Sequence, residues 1–160
     1  MASSYKFHNP DGLYFVTFAV VEWVDVFTRK DYAEILLESL RFCQKEKGLV
    51  IHAWCIMSNH VHFIISRKGD KALHEIMRDL KKFTSGEIIR AIQNGNESRK
   101  RWMLAIFEYA AKFNSNNTNF QFWQQDNHPI ELIGDKFILQ KLQYIHRNPV
   151  TAGIVIESMA

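Results

Sequence analysis

Residues 49–66 read LVIHAWCIM, then SN, then HVHFIIS: two apolar runs with a two-residue break between them. Runs this short, rich in β-branched and aromatic residues, form strands. A break of two residues leaves room only for a tight reversal, so the pair predicts an antiparallel hairpin. Such a hairpin is not stable alone and needs further strands or helices to cover it.

The flanking sequence supplies them. LYFVTFAVVEWVDVF (13–27) follows the turn signal NPDG and predicts one long strand. RKDYAEILLESLRFCQKEKG (29–48) repeats apolar residues at helical spacing through Ile35, Leu36, Leu40 and Cys43, with Gly48 as the stop. After the hairpin, KALHEIMRDLKKFTSGEIIRAIQ (71–93) carries Leu73, Ile76, Met77, Leu80 and Phe83 on one stripe. NGNESRK and NSNNTN are polar loops, and WMLAIFEYAAKF between them reads as a continuation of the helix. FQFWQQDNHPIEL (120–132) is strand-like up to Pro129, and DKFILQKLQYIHRN (135–148) is a last helix stopped by Pro149. The order predicts an α+β fold: a ferredoxin-like βαββαβ antiparallel sheet with an additional C-terminal helix, in one domain over residues 1–160. That architecture hosts many functions, so function has to be read from a site.

Composition narrows the class without choosing it. The chain has 160 residues, 47% hydrophobic and 23% charged, with a net charge of +3. A balance this mild permits a nucleic-acid partner but does not demand one. Cys43 and Cys55 form no CxxC pattern and read as small buried hydrophobes. No apolar stretch reaches membrane-span length and the N-terminus lacks the apolar core of a signal peptide, so a cytoplasmic protein with no membrane association is expected.

Alternation along a strand puts His60 and His62 on one face and Val61 and Phe63 on the other. Two imidazoles so placed either satisfy each other's surroundings structurally or bind one divalent metal. A zinc hydrolase would need a third ligand, and His52 on the preceding strand is one candidate. On the last helix, Ile138, Leu142 and Ile145 form the apolar stripe, and Tyr144 falls roughly 140° from its centre at about 100° per residue. Lys141, Arg147 and Asn148 lie within a turn of Tyr144. Tyr144 and Asn148, four apart, share a helix face, where a phenol and an amide oxygen could serve as nucleophile and metal ligand. A free phenol has a pKa of about 10, so its phenolate at neutral pH costs roughly 4 kcal/mol. A nearby metal and cations such as Lys141 and Arg147 would offset part of that. An exposed tyrosine with no role fits the pattern equally.

MSNHVHFII together with QYIHRNPVTAGIV resembles the REP-associated tyrosine transposases, within the single-tyrosine HUH transposase superfamily, and the resemblance extends from GLYFVTF through FWQQDNHPIEL to the C-terminus. It implies that His60, His62 and Asn148 ligate Mg²⁺ or Mn²⁺, although imidazole is not what size and charge would select for magnesium. It implies that Tyr144 attacks a phosphodiester of single-stranded, hairpin-bearing DNA, leaving a 5′-phosphotyrosine link and a free 3′-hydroxyl. The family leaves open whether the tyrosine helix serves its own chain or the partner in a homodimer. The stretch from WMLAIFEYAAKF through NSNNTN is a longer insert than the family pattern suggests. Arg78, Lys81 and Lys82 on the second helix, Arg99, Lys100 and Arg101 beside Trp102, and Lys141 and Arg147 are the candidate DNA contacts. Two other readings stand beside this one: a metal-dependent phosphodiesterase in which water attacks, and a non-catalytic nucleic-acid-binding domain.

Overall fold

The computed structural model describes residues 6–114 and 119–147, and the backbone of 151–154. The predicted hairpin is present: β2 (Leu49–Ile56) and β3 (His60–Arg67) pair antiparallel, Cys55 opposite His62. A register shift between Ile51 and Ala53 leaves His52 out of the ladder. β1 (Tyr14–Ala19) pairs antiparallel with the other side of β3, placing Thr17 opposite His62 and Ala19 opposite His60.

β1 is shorter than the sequence predicts. Its partner β3 begins at His60, so beyond Ala19 there is no ladder left to join. The chain turns instead through two short 3-10 turns, Val21–Trp23 and Val26–Thr28, which bury Val21, Val24, Val26 and Phe27. Glu22 and Trp23 take positive φ, 54° each, to make the first turn.

Two helices cover one face of the sheet. α1 (Lys30–Glu46) buries Tyr32, Leu36, Leu40 and Cys43, and α2 (Leu73–Asn94) buries Leu73, Ile76, Met77, Leu80, Thr84 and Ile88. Phe83, expected on that stripe, is 55% exposed. Thr84 holds the inward position: its hydroxyl donates to Leu80 O (2.7 Å) and accepts from Trp123 Nε1–H (3.0 Å). A buried hydroxyl with both roles filled is compatible with a core. Cys43 and Cys55 are buried, as read from the sequence.

WMLAIFEYAAKF does not extend α2. Gly95 ends that helix, and α3 (Lys100–Ala111) starts anew, burying Met103, Phe107 and Ala111. The fourth strand is likewise later and shorter than expected. Only Ile130–Glu131 (β4), past Pro129, pair with β1. Residues 122–127 follow the edge of β1 through single hydrogen bonds: Gln124 N–H to Ala19 O (2.7 Å) and Thr17 N–H to Asn127 O (2.9 Å).

α4 (Asp135–Arg147) follows as predicted, and then β5 (Thr151–Ile154), which the sequence reading lacked, pairs antiparallel with β2. The sheet order is β4-β1-β3-β2-β5. It is the ferredoxin-like order with one strand added at the β2 edge. Because α4 joins the two edge strands, it crosses the sheet face opposite α1 and α2. There it closes a second, smaller core of Phe15, Ala53, Cys55, Ile64, Leu132 and Ile145. Among the described residues, no helix is long and apolar enough to cross a membrane.

Candidate active site

The histidine face of β3 is the face that α4 crosses. Val61, Phe63 and Ile65 point into the large core beneath the helices, whereas Ile64 belongs to the small core under α4. His60 and His62 share that second face, with ring centroids 4.8 Å apart. The alternation expected from the sequence therefore holds at the atomic level.

Each imidazole is held. His62 is 6% exposed, and its Nδ1 lies 2.9 Å from Thr17 Oγ1 across the β1–β3 ladder. Phe15, two residues back on β1, stacks on its ring at 5.1 Å and 24°. His60 Nδ1 lies 2.7 Å from Asn59 Oδ1, and the indole of Trp23 meets its ring edgewise at 6.0 Å. Burial lowers both pKa values, His62 to about 4, where the neighbouring His60 and Lys141 push the same way. His62 is therefore neutral at physiological pH and keeps one ring nitrogen unprotonated.

Tyr144 sits over this pair in the same chain. Its ring meets His62 at 5.4 Å and 70°, and Phe15 at 6.2 Å and 75°, while 48% of the residue stays exposed. Lys141, one turn earlier on α4, lies over the Phe15 ring at 4.7 Å and 5.8 Å from the centres of the Tyr144 and Phe137 rings. An ammonium among three aromatic faces is fixed by cation–π attraction and leaves its charge beside the phenol. Arg147 is exposed at the end of α4. Asn148, the expected third metal ligand, lies outside the described residues.

The donor set fits a divalent cation. Among the described residues, His62 Nε2 is a buried nitrogen with no hydrogen-bond partner, the state expected of a metal-ligating atom. The ring is neutral and its other nitrogen is engaged, which is how metal-binding histidines are usually held. Among the described residues no third His, Cys, Asp or Glu joins the pair. His52 does not: its Nε2 lies 2.8 Å from Ser66 Oγ, towards the other end of β3 from His60.

The expected DNA contacts separate into two groups. Arg78 and Lys82 are exposed on α2 and line an open groove of about 820 Å³ with His74, Ser85 and Gln125. Arg101 is exposed and Lys100 half-buried at the start of α3. Lys81 and Arg99, by contrast, are committed within the molecule. Lys81 Nζ donates to the carbonyls of Gln124 (2.7 Å) and Gln125 (3.3 Å), lies 5.0 Å over the Phe18 ring, and has its pKa lowered by burial to about 8. It ties α2 to the segment along β1. The Arg99 guanidinium binds Glu97 and Asp25. A helical wheel shows where a cation points but not whether a distant carbonyl will claim it. Thr17, Phe15, Asn59 and Trp23 were missed by the sequence reading. The one available signal was Thr17, a polar residue inside the apolar run YFVTFA.

Solved structures share this fold. The chain has the fold of a REP-associated tyrosine transposase solved bound to a REP hairpin, at a TM-score of 0.65 and 17% identity, covering 94% of this chain and 73% of that one. A candidate transposase from Deinococcus radiodurans R1 matches at a TM-score of 0.55 and 16% identity, over 92% and 98% of the two chains. No curated protein matches the sequence. The family model described as "Transposase IS200 like" matches residues 13–119, well over half of the chain. The chain belongs to the IS200-like transposase family. The matched span contains His60 and His62 and ends before α4, so Tyr144 is placed by the fold alone.

Proposed function

We propose that this protein is a single-strand DNA endonuclease and strand transferase of the REP-associated tyrosine type, with Tyr144 as its nucleophile. The observation that carries this is the meeting of Tyr144 with His62 across 5.4 Å within one chain, on the only helix that crosses the histidine face among the described residues. The phenolate oxygen attacks a DNA phosphorus, the bond to the 3′ oxygen breaks, and that oxygen leaves with a proton as a free hydroxyl. The 5′ side stays joined to Tyr144 as a phosphotyrosine. His60 and His62, with Asn148, would hold Mg²⁺ or Mn²⁺. When bound, such an ion polarises the scissile phosphate. Lys141 holds positive charge beside the phenol, where it would attract the anionic phosphate of a bound strand. Phe15 and Thr17 keep His62 in place, and Arg78 and Lys82 contribute sequence-independent attraction to phosphate. Single-stranded DNA carrying hairpins is the substrate this reading takes, in keeping with the hairpin bound to the similar transposase.

The test is incubation with hairpin-bearing single-stranded DNA and Mn²⁺, followed by a denaturing gel. A covalent protein–DNA adduct is expected from the wild type and none from Tyr144→Phe, which should still bind DNA. Cleavage by Tyr144→Phe at the wild-type rate would overturn the nucleophile assignment. Cleaved product without any adduct would point instead to attack by water.

A further inference from the structure

We propose that Thr17 is a positioning residue for the histidine pair: its hydroxyl oxygen accepts the Nδ1–H of His62 and thereby keeps Nε2 as the ring's unprotonated, ligating nitrogen. The inference rests on the reading of His60 and His62 as metal ligands.

A neutral imidazole carries one proton on one of two nitrogens, and the hydrogen bond made by one decides what the other can do. The 2.9 Å contact between Thr17 Oγ1 and His62 Nδ1 admits either direction of donation. Nε2 breaks the tie, because it is buried without a partner among the described residues. Were the proton there, it would be an orphaned buried donor, which folded proteins tolerate less readily than an unmet acceptor. With the proton on Nδ1, Thr17 satisfies the donor and a lone pair is left for a cation. The geometry behind this is rigid. Thr17 and His62 face each other in the β1–β3 register, a threonine in a strand has few χ1 choices, and Phe15 lies flat against the imidazole, 5.1 Å between centroids. The ring is thus clamped from its edge by Thr17 and on its face by Phe15. His60 is held by a different kind of partner: its Nδ1–H donates to Oδ1 of the neighbouring Asn59 in the turn, outside the strand ladder, at 2.7 Å.

The experiment reads the tautomer directly, by nitrogen-15 NMR of the histidine rings in the metal-free full chain at neutral pH. His62 should show a protonated Nδ1 and a bare Nε2. Thr17→Val, nearly the same shape without the hydroxyl, should lose that preference, and Thr17→Ser should keep it. Mn²⁺ affinity, followed by electron paramagnetic resonance of the free ion, should fall about 10- to 100-fold in Thr17→Val and stay within a few-fold in Thr17→Ser. A His62 that carries its proton on Nε2 in the wild type overturns the proposal without any variant having to fold. So does a Thr17→Val protein with unchanged tautomer and unchanged Mn²⁺ affinity. Should His62→Ala bind Mn²⁺ as the wild type does, the metal reading fails with a signature of its own, because the tautomer measurement involves no metal.

Discussion

Glu97 has no exposed side-chain surface, and it is stable there because five donor atoms meet it. The Arg99 guanidinium and backbone N–H donate to it at 2.9–3.1 Å, the Tyr32 hydroxyl at 3.0 Å, and Arg29 Nε lies 3.0 Å away. These bonds, Arg99 foremost, hold its carboxyl well below its ordinary 4.5, at about 2, while burial and the bond to Glu97 push the Tyr32 phenol up to about 12. A folded-state pKa depressed in this way contributes stability in full above the ordinary carboxylate range. The contribution is lost as pH falls from about 4.5 towards 2. Glu97→Gln should therefore lower stability at pH 7 by about 3 kcal/mol and flatten the acid limb of the stability curve, both measurable by urea unfolding at pH 7 and pH 3. His62 adds a second acid-sensitive segment, because the unfolded imidazole takes up a proton that the buried one refuses until about pH 4. Arg99 shows the limit of reading single residues. SRKRW looks like a phosphate-binding run, yet Asp25, Arg29 and Tyr32, which help fix Arg99 and Glu97, are some 70 residues away in sequence.

Helix α4 is the element on which the site depends. It is attached to the sheet chiefly through Ile145, fully buried, with Phe137, Ile138 and Leu142 partly buried beside it. The same docking sets the height of Tyr144 above His62. Ile145→Ala removes most of that contact, at about 2–5 kcal/mol for a buried isoleucine. The small core is separate from the large one, so the loss should appear locally: hydrogen exchange speeds up along 135–147 while β1 and β3 stay protected. Adduct formation should fall in parallel. The period-3.6 pattern of α4, and those of α1 and α2, were legible because apolar stripes are local. The ends of β1 and β4 were not, since a strand stops where its partner stops, and that is a fact about another part of the chain. Val20 to Phe27 is as apolar as a strand but folds as turns.

Across the whole molecule, the connection from β4 to β5 matters most. The two strands lie at opposite edges of the sheet, so the helix between them must traverse its full width. The face covered by α1 and α2 is already taken, which leaves the histidine face. Charge is distributed differently: Arg78 and Lys82 lie on the α2 side of the sheet, away from Tyr144, beside the segment 122–127 that wraps the edge of β1. Bound DNA that touched both would pass around that edge. For single-stranded DNA, log affinity should fall linearly with log salt. Arg78→Ala and Lys82→Ala should each reduce the slope by roughly 0.7, equally for any DNA sequence, as measured by fluorescence anisotropy across a salt series.

By itself the sequence determined what backbone periodicity dictates. A strand alternates, so His60 and His62 share a face; a helix turns by about 100° per residue, so Tyr144 stands off the apolar stripe of α4. The hairpin at 49–66, the helices and the family likeness follow from signals of the same short range. Only the tertiary structure decided that α4 crosses the histidine side, that Tyr144 meets His62 of its own chain, that Thr17 engages His62 Nδ1, and that Lys81 and Arg99 are spent on internal partners. Those outcomes depend on burying two sheet faces at once and on satisfying every buried donor and charge. Partners for that come from anywhere in the chain, and no local pattern records which will arrive.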